Sequence, residues 1–463
     1  MMILDSMKLP HTIVLWGVLA LVPWVNLLSG LSKWFSSIRV LETIILMNPH
    51  CTLQRMFVMD EVTLSYITFV LAVIPIISEC VIIGAFITSI LYSRLQFYKK
   101  PNRDSLIGDA PGVSIIKPLM GLDNFLETNL ESHFLISYPK FELLFCVQDD
   151  QDPAINVVNK FMERYPKVDA KIFLGGKDGV INPMVHNMAP GYENAKYDLV
   201  WVSTSRIKAT TDLLYDMVIR IQDPKCALVH QMPYTTDQKG LAATVEKVYF
   251  GTALARMYVA VNVWGFCCVT GMSYLVKKTE LDKVHGLVWY GKYLAEDFFL
   301  SQALHSQGFR HRVASVPAQQ NVASTSIAAY KDRMVRWLRL RMNMMPVVAG
   351  FIEPMIECFA LGVYMSWSVY HFFALNPYIF FGCHVLVWIA LDYILIRGVQ
   401  GAEPLPFSIP EFVVAWFIRE LLTVWVYFEA LFNVRHIRWG KRRYRLSLGG
   451  HTEIVSDKSV LPL

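Results

Sequence analysis

Residues Val113 to Asp123 read VSIIKPLMGLD, a short apolar β-branched run that breaks into turn formers and a carboxylate. Comparable runs follow at 143–147 (LLFCV), 171–174 (KIFL) and 199–202 (LVWV). Runs this short and this continuously apolar are expected of parallel strands buried on both faces. Between them, Phe125 to Tyr138 and Ala154 to Tyr165 carry apolar residues at helical spacing. The alternation over residues 112–309 predicts an α/β domain with a doubly wound, Rossmann-like sheet. Ligands of such sheets bind beyond the carboxyl ends of the strands, so the polar residues that follow each run are the first candidates.

Those strand ends are rich in charge. The first run contains Lys117 and leads to Asp123, and the second is followed by QDDQDP with Asp149, Asp150 and Asp152. Carboxylate runs are commonly solvated loops or helix caps, but the strand-end position turns this one toward ligand contact. After the third run, GGKDGVINP (175–183) gives a glycine-rich turn flexible enough for backbone to approach a phosphate.

Two later clusters are sharper. YLAEDFF (293–299) sets Glu296 and Asp297 inside an otherwise apolar helical stretch, where burial raises a carboxyl pKa toward that of a general base. RMVRW (333–337) puts Arg333 and Arg336 one helical turn apart with Trp337 beside them. Guanidinium groups pair with phosphate oxygens and an indole can stack on a sugar. The plainer alternatives are a capped surface helix and an amphipathic helix whose arginines snorkel.

The chain has 463 residues, 54% of them hydrophobic, with a net charge of +5. That composition predicts membrane segments. Residues 64–92 have only Glu79 charged and are followed by SRLQFYKK, a basic flank that places the next domain in the cytosol. Residues 12–31 form another apolar run, open to reading as an anchor, a signal peptide or sequence upstream of a later start at Met59. Residues 347–373 and 378–396 read as a membrane hairpin, whereas 412–432 carries Arg419 and Glu420 and is expected to pack against protein or lie in the interface. Six Lys/Arg residues crowd into Arg435 to Arg445; beside an apolar segment they suit an anionic membrane surface or a solvated tail rather than nucleic acid. The eight cysteines lack paired metal-site spacing.

The expected organisation is an N-terminal extension (1–63), an anchor (64–92), a cytosolic catalytic domain (93–310), interfacial helices (311–346), C-terminal membrane segments (347–433) and a basic cytosolic tail (434–463).

Taken in order, GVSIIKPLMGLD, CVQDDQDPA, the INP turn, PGYENAKYDLVW, LVHQMPY, VYFGT, CVTGMSYL, YLAEDFF, RMVRW, IRGVQG and VAWFIRE resemble the inverting GT-A glycosyltransferases of the family-2 type, and among them the ceramide glucosyltransferases of family 21. The similarity runs from about Val113 to Leu446. It implies a GT-A domain holding UDP-glucose over the strand ends, with Lys117, Asp123, Asp149 and Asp152 near uridine and diphosphate. It further implies Asp297 as catalytic base beside Glu296, Arg333, Arg336 and Trp337 at the acceptor and diphosphate, ceramide and the bilayer as partners, and the cytosolic face of Golgi or early secretory membranes.

The family pattern also implies Mg2+ or Mn2+ held by an Asp-Ser-Gly element after the fourth strand. Here Thr204 stands for the aspartate and Arg206 for the glycine, and a neutral hydroxyl is a poor ligand for a hard cation. Met184 and His186 replace the usual Lys and Asn, and Leu254 lies where a histidine is expected. Two expectations follow: Arg206 takes over charge neutralisation of the donor, or the chain is a degenerate paralogue that binds lipid or an active partner. A processive polysaccharide synthase needs more spans than this chain offers, and a transporter needs no such soluble domain.

Overall fold

The computed structural model describes residues 52–106, 110–123, 125–321, 326–440 and 442–455, so the apolar run 12–31 lies outside the described residues. The strands are β1 (Val113–Leu119), β2 (Phe141–Val147), β3 (Ala170–Leu174), β4 (Leu199–Ser203), β5 (Cys226–His230), β6 (Pro233–Thr235), β7 (Ser273–Lys277), β8 (Arg310–Val313) and β9 (Ala318–Gln320). Seven of them form one sheet in the order β3-β2-β1-β4-β7-β5-β8, while β6 and β9 pair separately.

Residue alternation explains why the first strands are buried on both sides. In β1 and β2, Val113, Ile115, Leu143, Phe145 and Val147 enter one core with the helices Leu126–Phe134, Ala154–Arg164 and Thr211–Ile221. Ile116, Leu144 and Cys146 point the other way, into a second core with the helix Pro183–Glu193. β1 runs parallel to β2 and β4, and β2 parallel to β3, as expected. The four strands expected to be parallel are parallel, and the sheet goes beyond them. β7 pairs antiparallel with both β4 and β5, so the sheet is mixed. Its sequence, SYLVK, has the apolar character of its parallel neighbours, and strand direction leaves no mark in such a run. The sheet also continues past residue 310, through β8.

The described residues divide into two compact units, one comprising those of 52–81 with 356–387 and the other those of 82–355 with 388–455. In the first, Tyr364 Oη donates to Leu71 O at 2.7 Å, and the rings of Phe69 and Phe372 meet edge to face. Among the described residues, Thr63–Leu95 and Pro377–Gln400 are helices long and apolar enough to cross a membrane. The segment 347–373 comprises two helical pieces, Val348–Met355 and Cys358–Phe373, bent by 65°, which together are long and apolar enough for one broken span. Pro354, which has no N–H to donate and crowds the preceding turn, lies at that break.

In the second unit the helix Ile409–Phe432 keeps Arg419 and Glu420 buried at 1% and 2% exposure, in line with packing against protein. Arg419 reaches Thr252 Oγ1 at 2.9 Å and Asp392 at 3.3 Å, and Asp392 also pairs with Arg256 at 3.0 Å. The basic segment near the C-terminus folds as a three-stranded antiparallel sheet, β10 (His436–Trp439), β11 (Arg442–Leu446) and β12 (Thr452–Val455).

Candidate active site

The carboxylate pair lies in the first turn of the helix Glu296–Ser306, not within a longer helical stretch as expected. Leu294 and Ala295 form a turn before it, and the two acidic residues lie at the helix start, where unpaired N–H groups stabilise negative charge. Asp297 Oδ1 accepts from Phe298 N at 2.8 Å and Oδ2 from Gly271 N at 2.5 Å. The Asp297 side chain keeps partial solvent access, yet its surroundings desolvate it. Burial lifts its carboxyl to about 6 despite those backbone donors. Each oxygen retains a lone pair for a proton.

Glu296 has a different role. It is 2% exposed, and Oε2 accepts from Asn182 Nδ2 at 2.6 Å while Oε1 has no hydrogen-bond partner. Burial first, then the charge of Asp297, pushes its carboxyl well above the ordinary range. Asn182 caps the helix Pro183–Glu193, accepting from Met184 N and Val185 N, and its amide also donates to Tyr293 O at 2.9 Å. The cap suits the local sequence, an Asn followed by Pro at the first helical position. The link to Glu296 crosses 114 residues and left no local signal.

Backbone bonds join this pair to the end of β4. Thr204 N donates to Met272 O at 3.0 Å, and Met272 follows Gly271, whose N–H binds Asp297. A Cβ on Gly271 would come within 3.3 Å of Glu296 Oε1, Met184 Cε and Asp297 Oδ2. The approach at Gly271 is close, and Met184, one of the departures from the family pattern, borders the carboxylates. His186, another, lies under the glycine turn: its Nδ1 is 2.6 Å from Lys177 O.

The remaining strand-end residues occupy distinct environments. Lys117 is wholly buried, with Nζ donating to Thr204 O at 2.8 Å and lying 3.4 Å from both Ser203 Oγ and His133 Nε2. Burial holds its ammonium well below the usual range. Asp123 faces Arg206, with Oδ2 3.5 Å from Nε. Asp152 accepts from Gly121 N and Ala154 N, tying two strand-end loops together, and Asp149 accepts from Gln151 N.

Arg333, Arg336 and Trp337 lie on the helix Ile327–Met344. Arg333 pairs with buried Glu246, a partner the sequence did not reveal. Trp337 packs edge to face on Phe250 at 6.1 Å. Arg336 lies 5.8 Å over the ring of Trp439 and is held below the usual guanidinium range by burial and by Arg333, with Arg206 contributing in the same sense.

These residues do not fit a resident divalent cation. Thr204 supplies no charge, and Asp123, Asp149 and Asp152 are each engaged by protein donors. Among the described residues no group of three His, Cys, Asp or Glu side chains is placed to hold a metal.

Residues 14–452 match Glycosyl transferase family 21. The chain is 40% identical over 363 residues to ceramide glucosyltransferase 3 of Caenorhabditis elegans, covering 76% of this chain and 78% of that one. It is 35% identical over 391 residues to ceramide glucosyltransferase 1 of the same organism, covering 83% of each. The ceramide glucosyltransferase of Komagataella phaffii is 28% identical over 443 residues, with 77% of this chain and 86% of that one covered. Among solved structures, a mannosyltransferase from Pyrobaculum calidifontis in complex with GDP-Man and Mn2+ has a TM-score of 0.46 at 15% identity, covering 78% of this chain and 99% of that one. The helix-covered sheet, with membrane-capable helices before and after it in sequence, agrees with the GT-A architecture expected. The chain belongs to glycosyl transferase family 21.

Proposed function

We propose that this chain is a membrane-bound ceramide glucosyltransferase that transfers glucose from UDP-glucose to the primary hydroxyl of ceramide with inversion. The observation that carries the reading is Asp297: a partly accessible carboxylate, lifted to about 6 by burial and fixed by two backbone N–H groups beside the end of β4. Its family and the activity named for its relatives point to the same chemistry.

In the reaction Asp297 takes the proton of the ceramide hydroxyl as its oxygen attacks the anomeric carbon from the face opposite UDP. The anomeric C–O bond breaks and its electron pair leaves with UDP. Glu296, buried, with its carboxyl held above the ordinary range and bound to Asn182, acts as a positioning residue that fixes the helix start. Arg206, Arg333, Arg336 and Trp337 border donor diphosphate and acceptor, Asp123, Asp149 and Asp152 shape the donor side, and Lys117 supports the strand end from beneath. The exposed faces of Thr63–Leu95 and Pro377–Gln400, with Ile67, Val70, Ile74, Tyr378, Ile379 and Leu386, meet lipid. The basic flank at Arg94, Lys99 and Lys100 orients the catalytic domain to the cytosol, on Golgi or early secretory membranes.

The test is transfer of radiolabelled glucose from UDP-glucose to short-chain ceramide by membranes carrying this chain, beside Asp297→Asn. Loss of a general base lowers turnover by roughly 10²–10⁴-fold. Equal product from the variant removes Asp297 from the mechanism; no product from well-folded wild type, with donor still bound, favours the degenerate paralogue.

A further inference from the structure

The turn that replaces the family's Asp-Ser-Gly element is held rigidly. Lys117 Nζ and Ile207 N donate to Thr204 O at 2.8 and 3.1 Å, Asn129 Nδ2 to Ser205 O at 3.1 Å, and Asn321 N to Arg206 O at 3.0 Å. Asn321 Nδ2 in turn donates to Asn129 Oδ1 at 2.6 Å, closing the network. Every carbonyl from Thr204 to Arg206 is thus occupied, and the Arg206 side chain leaves a fixed backbone with 48% of its own surface exposed. Its partner Asp123 is 21% exposed and 3.5 Å away, a long pair of the kind that contributes little and yields to a more highly charged competitor.

A second cation is available. Arg333 is committed to Glu246, whereas Arg336 makes no ion pair among the described residues and is within electrostatic reach of Arg206. Guanidinium groups from a strand-end turn and from the helix Ile327–Met344 therefore act on the same region, and Arg336, on which Asp332 acts only at longer range, is in no direct ion pair among the described residues.

The geometry points to a diphosphate clamp that works without a metal: Arg206 and Arg336 together neutralise the diphosphate of the nucleotide-sugar donor, and Asp123 holds Arg206 until the donor displaces it. This rests on the glucosyl-transfer reading above. As the anomeric C–O bond breaks, its electron pair remains on the β-phosphate oxygen, and the guanidinium N–H groups take up the developing charge in place of a cation. Thr204 is then no defect, because an aspartate there would compete with the diphosphate for Arg206.

The test uses the full chain in lipid nanodiscs, with turnover and UDP binding measured in EDTA, Mg2+ and Mn2+. Wild type is expected to turn over and to bind UDP equally well in all three. Arg206→Gly lowers turnover by roughly 10²–10³-fold, as loss of a transition-state donor does, and weakens UDP binding in EDTA by about tenfold or more. Arg206→Lys, which keeps the charge but not the fork, recovers part of both. The double variant Thr204→Asp/Arg206→Gly, which rebuilds the family element, regains turnover only with Mg2+ or Mn2+. Turnover by wild type that disappears in EDTA, or UDP binding in EDTA indifferent to Arg206→Gly, overturns the clamp. Should wild type bind UDP in EDTA through Arg206 yet transfer no glucose, the clamp stands and the transfer reading fails.

Discussion

At the scale of single residues, Glu296 and Asp297 are neighbours in sequence with different surroundings, Glu296 buried against Asn182 and Asp297 held by two backbone N–H groups. Asp297 must be ionised to accept a proton, and burial raises it to about 6, so the acidic limb of the turnover profile is expected to climb through pH about 6. The stability sign is opposite. Because the folded state holds this proton more tightly than the unfolded chain, the Asp297 contribution to stability is greatest below the unfolded carboxyl range and declines as pH rises through about 6. Glu296→Gln preserves an acceptor for Asn182 and mimics the protonated acid, so it should leave both the acidic limb and thermal unfolding near wild type. Glu296→Ala leaves a void and a buried amide donor unpaired, and is expected to lower stability by roughly 2–4 kcal/mol in thermal unfolding. A Glu296→Gln variant that is folded but inactive makes Glu296 the proton carrier instead. The sequence showed the adjacent carboxylates and the RMVRW element, since both are local patterns. It hid Asn182, Gly271, Asn321 and Glu246, because each acts across a contact between distant segments.

Among elements, the strands were legible because burial on both faces forces uninterrupted apolar runs, and all four marked in the sequence lie within β1 to β4. The parallel direction expected of those four holds, whereas β7, antiparallel to β4 and β5, was not marked in the sequence at all. The glycine turn after β3 shows how an element's geometry exceeds its composition. Gly175 and Gly176 have φ of +87° and +70°, and a Cβ on Gly176 would sit 2.4 Å from His186 Nε2. Both the left-handed backbone and the close approach demand glycine there. Gly176→Ala should therefore lower stability by roughly 1–3 kcal/mol, seen as a lower melting temperature, and displace the turn that leads to Asn182. Gly175→Ala has the same backbone cost but nothing within 4 Å of the added carbon, so it should be the milder change. Equal effects of the two would mean that contact with His186 is irrelevant and backbone conformation alone sets the requirement.

On the scale of the whole molecule, the C-terminal helices are bonded into the catalytic fold of the second unit. Asp392, wholly buried in the helix Pro377–Gln400, pairs with Arg256 and Arg419 and accepts from Trp416 Nε1 at 2.8 Å. Arg256 in turn lies over the rings of Phe86 and Trp388, 4.5 Å from each centroid. Tyr234 Oη donates to Gln400 Oε1 at 2.7 Å, and Gly251 sits so near Ile396 that a Cβ would approach it to 2.5 Å. Such a network is poor evidence of net stabilisation, but removing one member strands the others in a low dielectric. Asp392→Ala leaves two buried guanidinium groups without this carboxylate, and breaking a buried pair costs roughly 3–5 kcal/mol. It should lower the melting temperature and open the catalytic domain to limited proteolysis, although Asp392 touches neither Asp297 nor the turn at Arg206. Asp392→Asn, retaining an acceptor for Trp416, should fall between it and wild type. Removing residues 345–463 takes away Asp392, Gln400, Arg419 and Glu429 together, leaving Arg256 and Lys331 without the partners described. That truncation is expected to yield protease-sensitive protein without UDP affinity. A truncated chain that folds and binds UDP like wild type would instead make the C-terminal helices separable anchors, and the charge network incidental to the catalytic fold.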